Sequence, residues 1–210
     1  MTDSAQLTKR QQQGAASREQ ILDAAERLMA TRGVTGTSMS TLIDACGLPA
    51  SSIYWHFGSK DGVLVAVMER GAERFFTSLA PQGSFSGSGG ELVRAQLEDA
   101  ARALEEHGDF LHLLLTLLLL RNDGNDPAGT VIESVRRRGR ERIQEMLLAA
   151  LSGRDKRSAR RTAAAATDFV LAAIDGAFIA HHEDSRIDLH DMLAQLALAI
   201  EALLGDPRPS

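Results

Sequence analysis

Eleven consecutive residues carry the most specific chemistry in the chain: Ala50-Ser51-Ser52-Ile53-Tyr54-Trp55-His56-Phe57-Gly58-Ser59-Lys60. In a helix, Ile53 and Phe57 turn to one side and leave Ser51, Ser52, Trp55 and part of Tyr54 on the other. Small hydroxyls permit close approach to a nucleic-acid groove. The Tyr54 hydroxyl, the His56 ring and the Lys60 ammonium can each donate a hydrogen bond to a phosphate oxygen. Lys60 also opens the next helix, where unpaired amides and the helix dipole already favour an anion. Taken alone, Trp55 would read as a core residue; beside Ser51 and Ser52 it reads as a contact.

Other reactive patterns are weaker. Gly83-Ser84-Phe85-Ser86-Gly87 imitates a hydrolase elbow but places Phe85 where the nucleophile must stand. There is no HExxH run and no phosphate-binding glycine loop. The single cysteine, Cys46, excludes an internal disulfide and a multi-cysteine metal site, and it closes an apolar stripe that suits packing better than redox chemistry. His181 and His182 are consecutive and point apart on a helix, so they do not make a metal pair. Arg136, Arg137, Arg138, Arg140 and Arg142 interleave with Glu133, Glu141 and Glu145 at i,i+4 spacing, the pattern of a salt-bridged exposed face. We expect no catalytic residues, no metal, no cofactor and no enzymatic activity.

The elements that position these residues are helices. The chain has 210 residues, 44% hydrophobic but only 4% aromatic, with long Ala and Leu runs, which favours an all-α fold of about nine helices. Ser17 and Gln20 form a capping-box pattern ahead of Ile21, Ala24, Ala25 and Leu28, and Gly33 stops that helix. A short helix follows Ser38 with Met39, Leu42, Ile43 and Cys46 on one face, and ends at Gly47. A third spans about 50–57, and a fourth runs from Lys60 to about Leu79. Residues 81–90 are too rich in Gly and Ser for regular structure, and further helices are expected at about 91–106, 109–121, 127–151, 158–182 and 188–204. Two short helices joined through Gly47 match the helix-turn-helix arrangement, whose second helix enters the DNA major groove.

Between Ser17 and about Met68 the sequence resembles the TetR (tetracycline repressor) family of bacterial transcriptional regulators. The residues that carry the resemblance are Arg18-Glu19-Gln20-Ile21-Leu22-Asp23-Ala24-Ala25, Gly33, Gly47-Leu48 and Ser52 through Lys60. The resemblance implies an all-helical homodimer with a DNA-binding head and a larger domain that binds a small effector. It places Ser38, Tyr54, His56 and Lys60 at phosphates, and Ser40, Ala50, Ser51 and Trp55 at bases. Ala50 stands where many members carry a basic residue, and Ile43 where many carry a small one.

Net charge is −5, but six basic and five acidic side chains lie up to Lys60, against 17 and 23 beyond it, so the acidity belongs to the second part. We expect a flexible arm at 1–16, a DNA-binding domain at 17–60 and an effector-binding and dimerisation domain at 61–210. Lys9, Arg10 and Arg18 suit either a basic arm along the duplex or a solvated tail. The helix containing Phe178 is apolar nearly all round and needs cover on more than one side. Together with Leu189, Met192, Leu193, Leu196 and Ile200 it is the expected subunit contact. A largely apolar effector is expected against Phe75, Phe110, Leu113, Leu117, Met146 and Phe169, oriented by His112 or Thr116. The strongest apolar run, 110–120, is too short to span a bilayer, and the polar start lacks a secretory signal, so a cytoplasmic protein without a membrane partner is expected. A helical enzyme for a lipophilic substrate, or an architectural DNA-binding protein without an effector, fits the same composition.

Overall fold

The computed structural model describes residues 9–87, 89–120 and 127–205, and every regular element among them is helical. In chain order these are α1 (Lys9–Gly36), α2 (Met39–Cys46), α3 (Ala50–Phe57), α4 (Lys60–Ser78), α5 (Gly89–Glu106), α6 (Gly108–Leu119), α7 (Gly129–Ala150), α8 (Lys156–Glu183) and α9 (Leu189–Gly205). The expected all-α class is the observed one. The described residues fall into two compact units, one drawn from Met1–Gly71 and Asp109–Ile132, the other from Ala72–Gly108 and Glu133–Ser210.

In the first unit, α1 begins eight residues before the expected cap, so residues 9–16, expected as a flexible arm, are helical from Lys9. Ser17 lies inside the helix and its hydroxyl donates to the Gln13 carbonyl at 2.9 Å, a back-bond that leaves no cap there. The break at Gly33 is real: its φ of 70° and ψ of 166° interrupt the helix, and only glycine adopts that conformation without strain. Ile21, Leu22, Ala25 and Met29 bury one face of α1, while Leu28 is half-buried.

Arg70 on α4 pins that face from the side. Its guanidinium reaches Glu19 at 3.0 Å, Asp23 at 2.7 Å and Glu26 at 2.6 Å. Burial works against its charge, but the hydrogen bonds it donates to Glu19 and Glu26 outweigh that cost and raise its pKa. Phe110 of α6 lies flat on the backbone at Gly71, where a Cβ would come within 2.3 Å of the ring.

In the second unit, α5 packs along α9, and α9 also packs on α8. Asp155 caps α8 by accepting from the Ser158 amide at 2.9 Å, which starts the helix before the expected 158. Ion pairs from Arg136 to Asp175 (2.8 Å) and from Arg140 to Asp168 (2.8 Å) tie α7 to α8. By length and composition α8 could cross a membrane, so the run 110–120 is not the strongest candidate span in the chain. Its buried residues, among them Ala163, Val170, Leu171 and Phe178, face their own unit instead.

Candidate nucleic-acid interface

Ser38 has extended backbone and caps α2, its Oγ accepting from the Thr41 amide at 3.1 Å. Leu42 and Cys46 bury the inner face of α2, with Met39 and Ile43 half-buried beside them. Gly47 ends the helix in the left-handed region (φ 64°), its amide returning to the Ile43 carbonyl. Gln20 of α1 donates to the Cys46 carbonyl at 2.7 Å and so fixes the joint from below. The turn is complete in three residues, and α3 starts at Ala50 as the spacing predicts.

Ile53 is fully buried and orients α3. Phe57 is half-buried, with the Arg18 guanidinium 5.5 Å from its ring centroid. Arg18 is thereby occupied against α3 and not extended as an arm; the side chains of Lys9 and Arg10 lie outside the described residues. On the outer face, Trp55 is 77% exposed and Tyr54 52%, with Ser51 exposed and Ala50 and Ser52 half-buried. Ser40 is exposed on α2. Trp55 packs edge-on to His56, 4.5 Å between centroids. Burial, and then the nearby Arg18 guanidinium, hold the His56 pKa below the usual imidazole value, so the ring is neutral at pH 7.

Lys60 differs from expectation. Its Nζ donates to the Val34 carbonyl at 3.1 Å, so it straps the start of α4 to the end of α1 and retains two further N–H groups for an anion. Ser59 caps α4 by accepting from the Gly62 amide at 3.1 Å. Gly62 is a residue that sequence reasoning passed over: a Cβ there would stand 2.0 Å from the Phe57 carbonyl oxygen, so only glycine lets α4 follow α3 this closely. A glycine inside a helical pattern was the available signal.

The residues expected around an effector divide between the two units. On α6 of the first unit, Phe110 and Leu113 are 1% exposed and belong to the core, while His112, Thr116 and Leu117 are half-buried. In the second unit Phe75 is half-buried, its ring 6.1 Å from that of His107, and Met146 is buried. Phe169 is 53% exposed, so it belongs to an outer face and not to a closed cavity. The second unit does contain a cavity of about 440 Å³ at Gly89, Gly90, Ala150, Gly153, Arg154 and Leu204, which none of the expected residues lines.

The expected subunit contact also needs correction. Phe178, Leu189, Leu193, Leu196 and Ile200 are all buried within their own unit and Met192 is half-buried, because α9 is held between α5 and α8. A side chain already packed inside one chain cannot supply the surface of a second. The large apolar side chains left outside on these two helices are Phe169, Ile179, Leu198 and Leu203.

A left-handed glycine joint, a capped first helix and a second helix with exposed aromatics define an all-helical protein of the helix-turn-helix class. Residues 21–67 match the family model described as "Bacterial regulatory proteins, tetR family". The chain is 31% identical over 86 residues to the HTH-type transcriptional repressor AcnR of Corynebacterium efficiens, covering 41% of this chain and 43% of that protein. It spans less than half the length of the curated relatives it matches. The TetR family regulator PfmR of Thermus thermophilus shares the fold at 21% identity with a TM-score of 0.67, covering 87% of this chain and 97% of that one. A regulator from Saccharomonospora viridis, solved in complex with choline, does so at 19% identity with a TM-score of 0.66, covering 88% and 95%.

Proposed function

We propose that the protein is a homodimeric transcriptional repressor that reads operator DNA with α3 and is released by a small, largely apolar effector. The observation that carries the reading is Trp55, 77% exposed on an outer face it shares with Ser51, on a helix whose inner side is anchored by Ile53. Exposing an indole to water has no packing benefit, whereas in a major groove it meets base edges and thymine methyl groups. Ser38, Ser40, Ala50, Ser51, Ser52, Tyr54, His56 and the free N–H groups of Lys60 complete the contact, with residues 17–60 acting as the DNA-binding part and 61–210 as the effector-binding and dimerisation part. The repressor names of the sequence relatives support the activity, and the choline held by the Saccharomonospora viridis protein supports a small-molecule site in a body of this fold. His112 or Thr116 orients the effector. The cytoplasm is where such a protein meets its DNA.

Two copies of α3 in successive major grooves require a near-palindromic operator with half-sites roughly 34–36 Å apart. Footprinting of genomic fragments selected by the protein should show that symmetry, and affinity should fall steeply with salt as phosphate contacts release counterions. Trp55→Ala with unchanged affinity and unchanged sequence preference would remove α3 from the groove. Effector release is tested by titrating candidate ligands with and without operator: coupling is reciprocal, so an inducer must bind more weakly when DNA is present.

A further inference from the structure

We infer that the second unit holds a site for a small carboxylate with an apolar tail, in the cavity where the start of α5, the end of α7 and the end of α9 meet, with Arg154 receiving the carboxylate. No residue proposed above to hold the effector lines this cavity, so the site stands or falls apart from that reading.

The space exists because side chains are missing from its walls. Gly89, Gly90, Gly153 and Gly205 all border it, and at Gly89, Gly153 and Gly205 nothing lies within 4 Å of where a Cβ would stand. Its volume of about 440 Å³ lies within the range of roughly 300–1,000 Å³ usual for small-molecule sites. Val93, Leu151 and Leu204 are buried and line it with apolar surface, which suits a hydrocarbon tail.

The charged groups of the wall select the head. Glu201 Oε1 accepts from Arg94 at 3.2 Å, and its carboxyl carbon lies 2.2 Å from where a Cβ on Gly90 would stand, against the first turn of α5. Its charge is thus met by a guanidinium and by the positive end of a helix. Arg154 has no such match. Its guanidinium donates to the Leu204 carbonyl, and among the described residues it meets no carboxylate. The carbonyl fixes the fork at the edge of the cavity and leaves four of its five N–H groups for a ligand. One cation therefore stands uncompensated in the wall, which favours a monoanion and disfavours an amine. A carboxylate is the monoanion that a planar guanidinium takes in two parallel hydrogen bonds.

The start of α8 adds to the field. Lys156 and Arg157 are exposed in its first turn, without ion-pair partners among the described residues, where the helix dipole disfavours cations. An anion at this end offsets that cost. Asp155 beside them is already engaged as the cap of α8, accepting from the Ser158 amide.

The test is calorimetric titration of the full-length protein at low salt with hexanoate, with hexanamide as its neutral counterpart and with hexylammonium as its cationic one. Hexanoate should bind, hexanamide about ten-fold more weakly for want of the charge-assisted bonds, and hexylammonium not at all. Arg154→Gln keeps a donor for the Leu204 carbonyl but removes the charge, so it should weaken hexanoate about ten-fold and erase the preference over hexanamide. Ala150→Leu adds bulk to the cavity wall and should abolish binding of both. Helicity and melting temperature near those of wild type show that each variant is folded, and Arg154→Gln decides the matter should Ala150→Leu fail to fold. No binding of hexanoate up to about 10 mM, well above a millimolar Kd, would overturn the site. Equal affinities for hexanoate and hexanamide would overturn the choice of head group. Undiminished hexanoate binding by Arg154→Gln would place the carboxylate elsewhere on the chain and overturn this inference while leaving the effector reading standing.

Discussion

Lys60 Nζ donates to the carbonyl oxygen of Val34 at 3.1 Å, joining the first residue of α4 to the last turn of α1. The bond makes Lys60 a strap as well as a cation beside the proposed DNA-binding face. Lys60→Met keeps the aliphatic stem but leaves the Val34 carbonyl without this donor, and we expect a loss of about 1 kcal/mol in urea denaturation. Operator affinity should fall on all sequences alike, with a salt slope shallower by about one. A residue that only touched phosphate would leave the denaturation midpoint unmoved.

The joint between α3 and α4 depends on Gly62. Alanine there would bring a methyl group to 2.0 Å from the Phe57 carbonyl oxygen, and backbone on both sides must move to relieve it. Overpacking of this kind costs about 1–3 kcal/mol. Because the displaced atoms end α3, Gly62→Ala should lower operator affinity by more than the stability loss alone explains, measured by comparing binding at a temperature where both proteins are fully folded.

His56 gives the interface a pH dependence of predictable sign. Its folded pKa lies below the 6.5 of a free imidazole, through burial first and Arg18 second. The unfolded chain therefore takes up the proton more readily, so the stability His56 contributes is present above pH 6.5 and declines as pH falls from there through the folded value. In the proposed complex a phosphate beside the ring would reverse the preference by favouring the imidazolium, so operator binding should take up a proton and tighten as pH falls. His56→Gln should flatten both trends relative to wild type. An unchanged pH profile of binding in the variant would place His56 away from phosphate.

The head was legible in the sequence because each of its parts is local. Gly47 and Gly58 mark positive φ, Ser38 is a cap, and α3 is bounded by Pro49 and Gly58, so its limits follow from neighbours one to four residues away. Ser17 misled because a serine followed by Gln20 has the cap pattern wherever it occurs, and only the backbone shows that it bonds back to Gln13. The strap at Lys60 and the constraint at Gly62 are not legible for a different reason: the Val34 carbonyl is 26 residues from Lys60, and the approach of α4 to Phe57 is a three-dimensional fact with no trace in periodicity. For α8 and α9 the period identified apolar helices but not which apolar side faces inward, since a helix apolar all round offers no contrast.

Phe178 and Ile179 are neighbours on α8 with opposite surroundings, 4% and 46% exposed, and they separate folding from the assembly proposed above. Phe178 stacks on His182, 5.8 Å between centroids, inside its own unit. Its truncation to alanine leaves a cavity and should cost about 3–5 kcal/mol of chain stability. Ile179 loses little in the isolated chain, because its side chain is half in water, but if the exposed stripe of α8 meets a second copy in the proposed homodimer, an aspartate there would be desolvated without a partner, which is unfavourable. We expect Phe178→Ala to shift the urea midpoint of the monomer, measured at protein concentrations too low for pairing. Ile179→Asp should leave that midpoint within about 0.5 kcal/mol of wild type, as surface changes do. In sedimentation the order inverts: Ile179→Asp should abolish the dimer at concentrations where wild type is fully paired, and Phe178→Ala, while folded, should still pair. Equal effects of the two substitutions on both measurements would mean that folding and pairing bury the same face, in which case the inward side of α8 and not its exposed stripe meets the second copy.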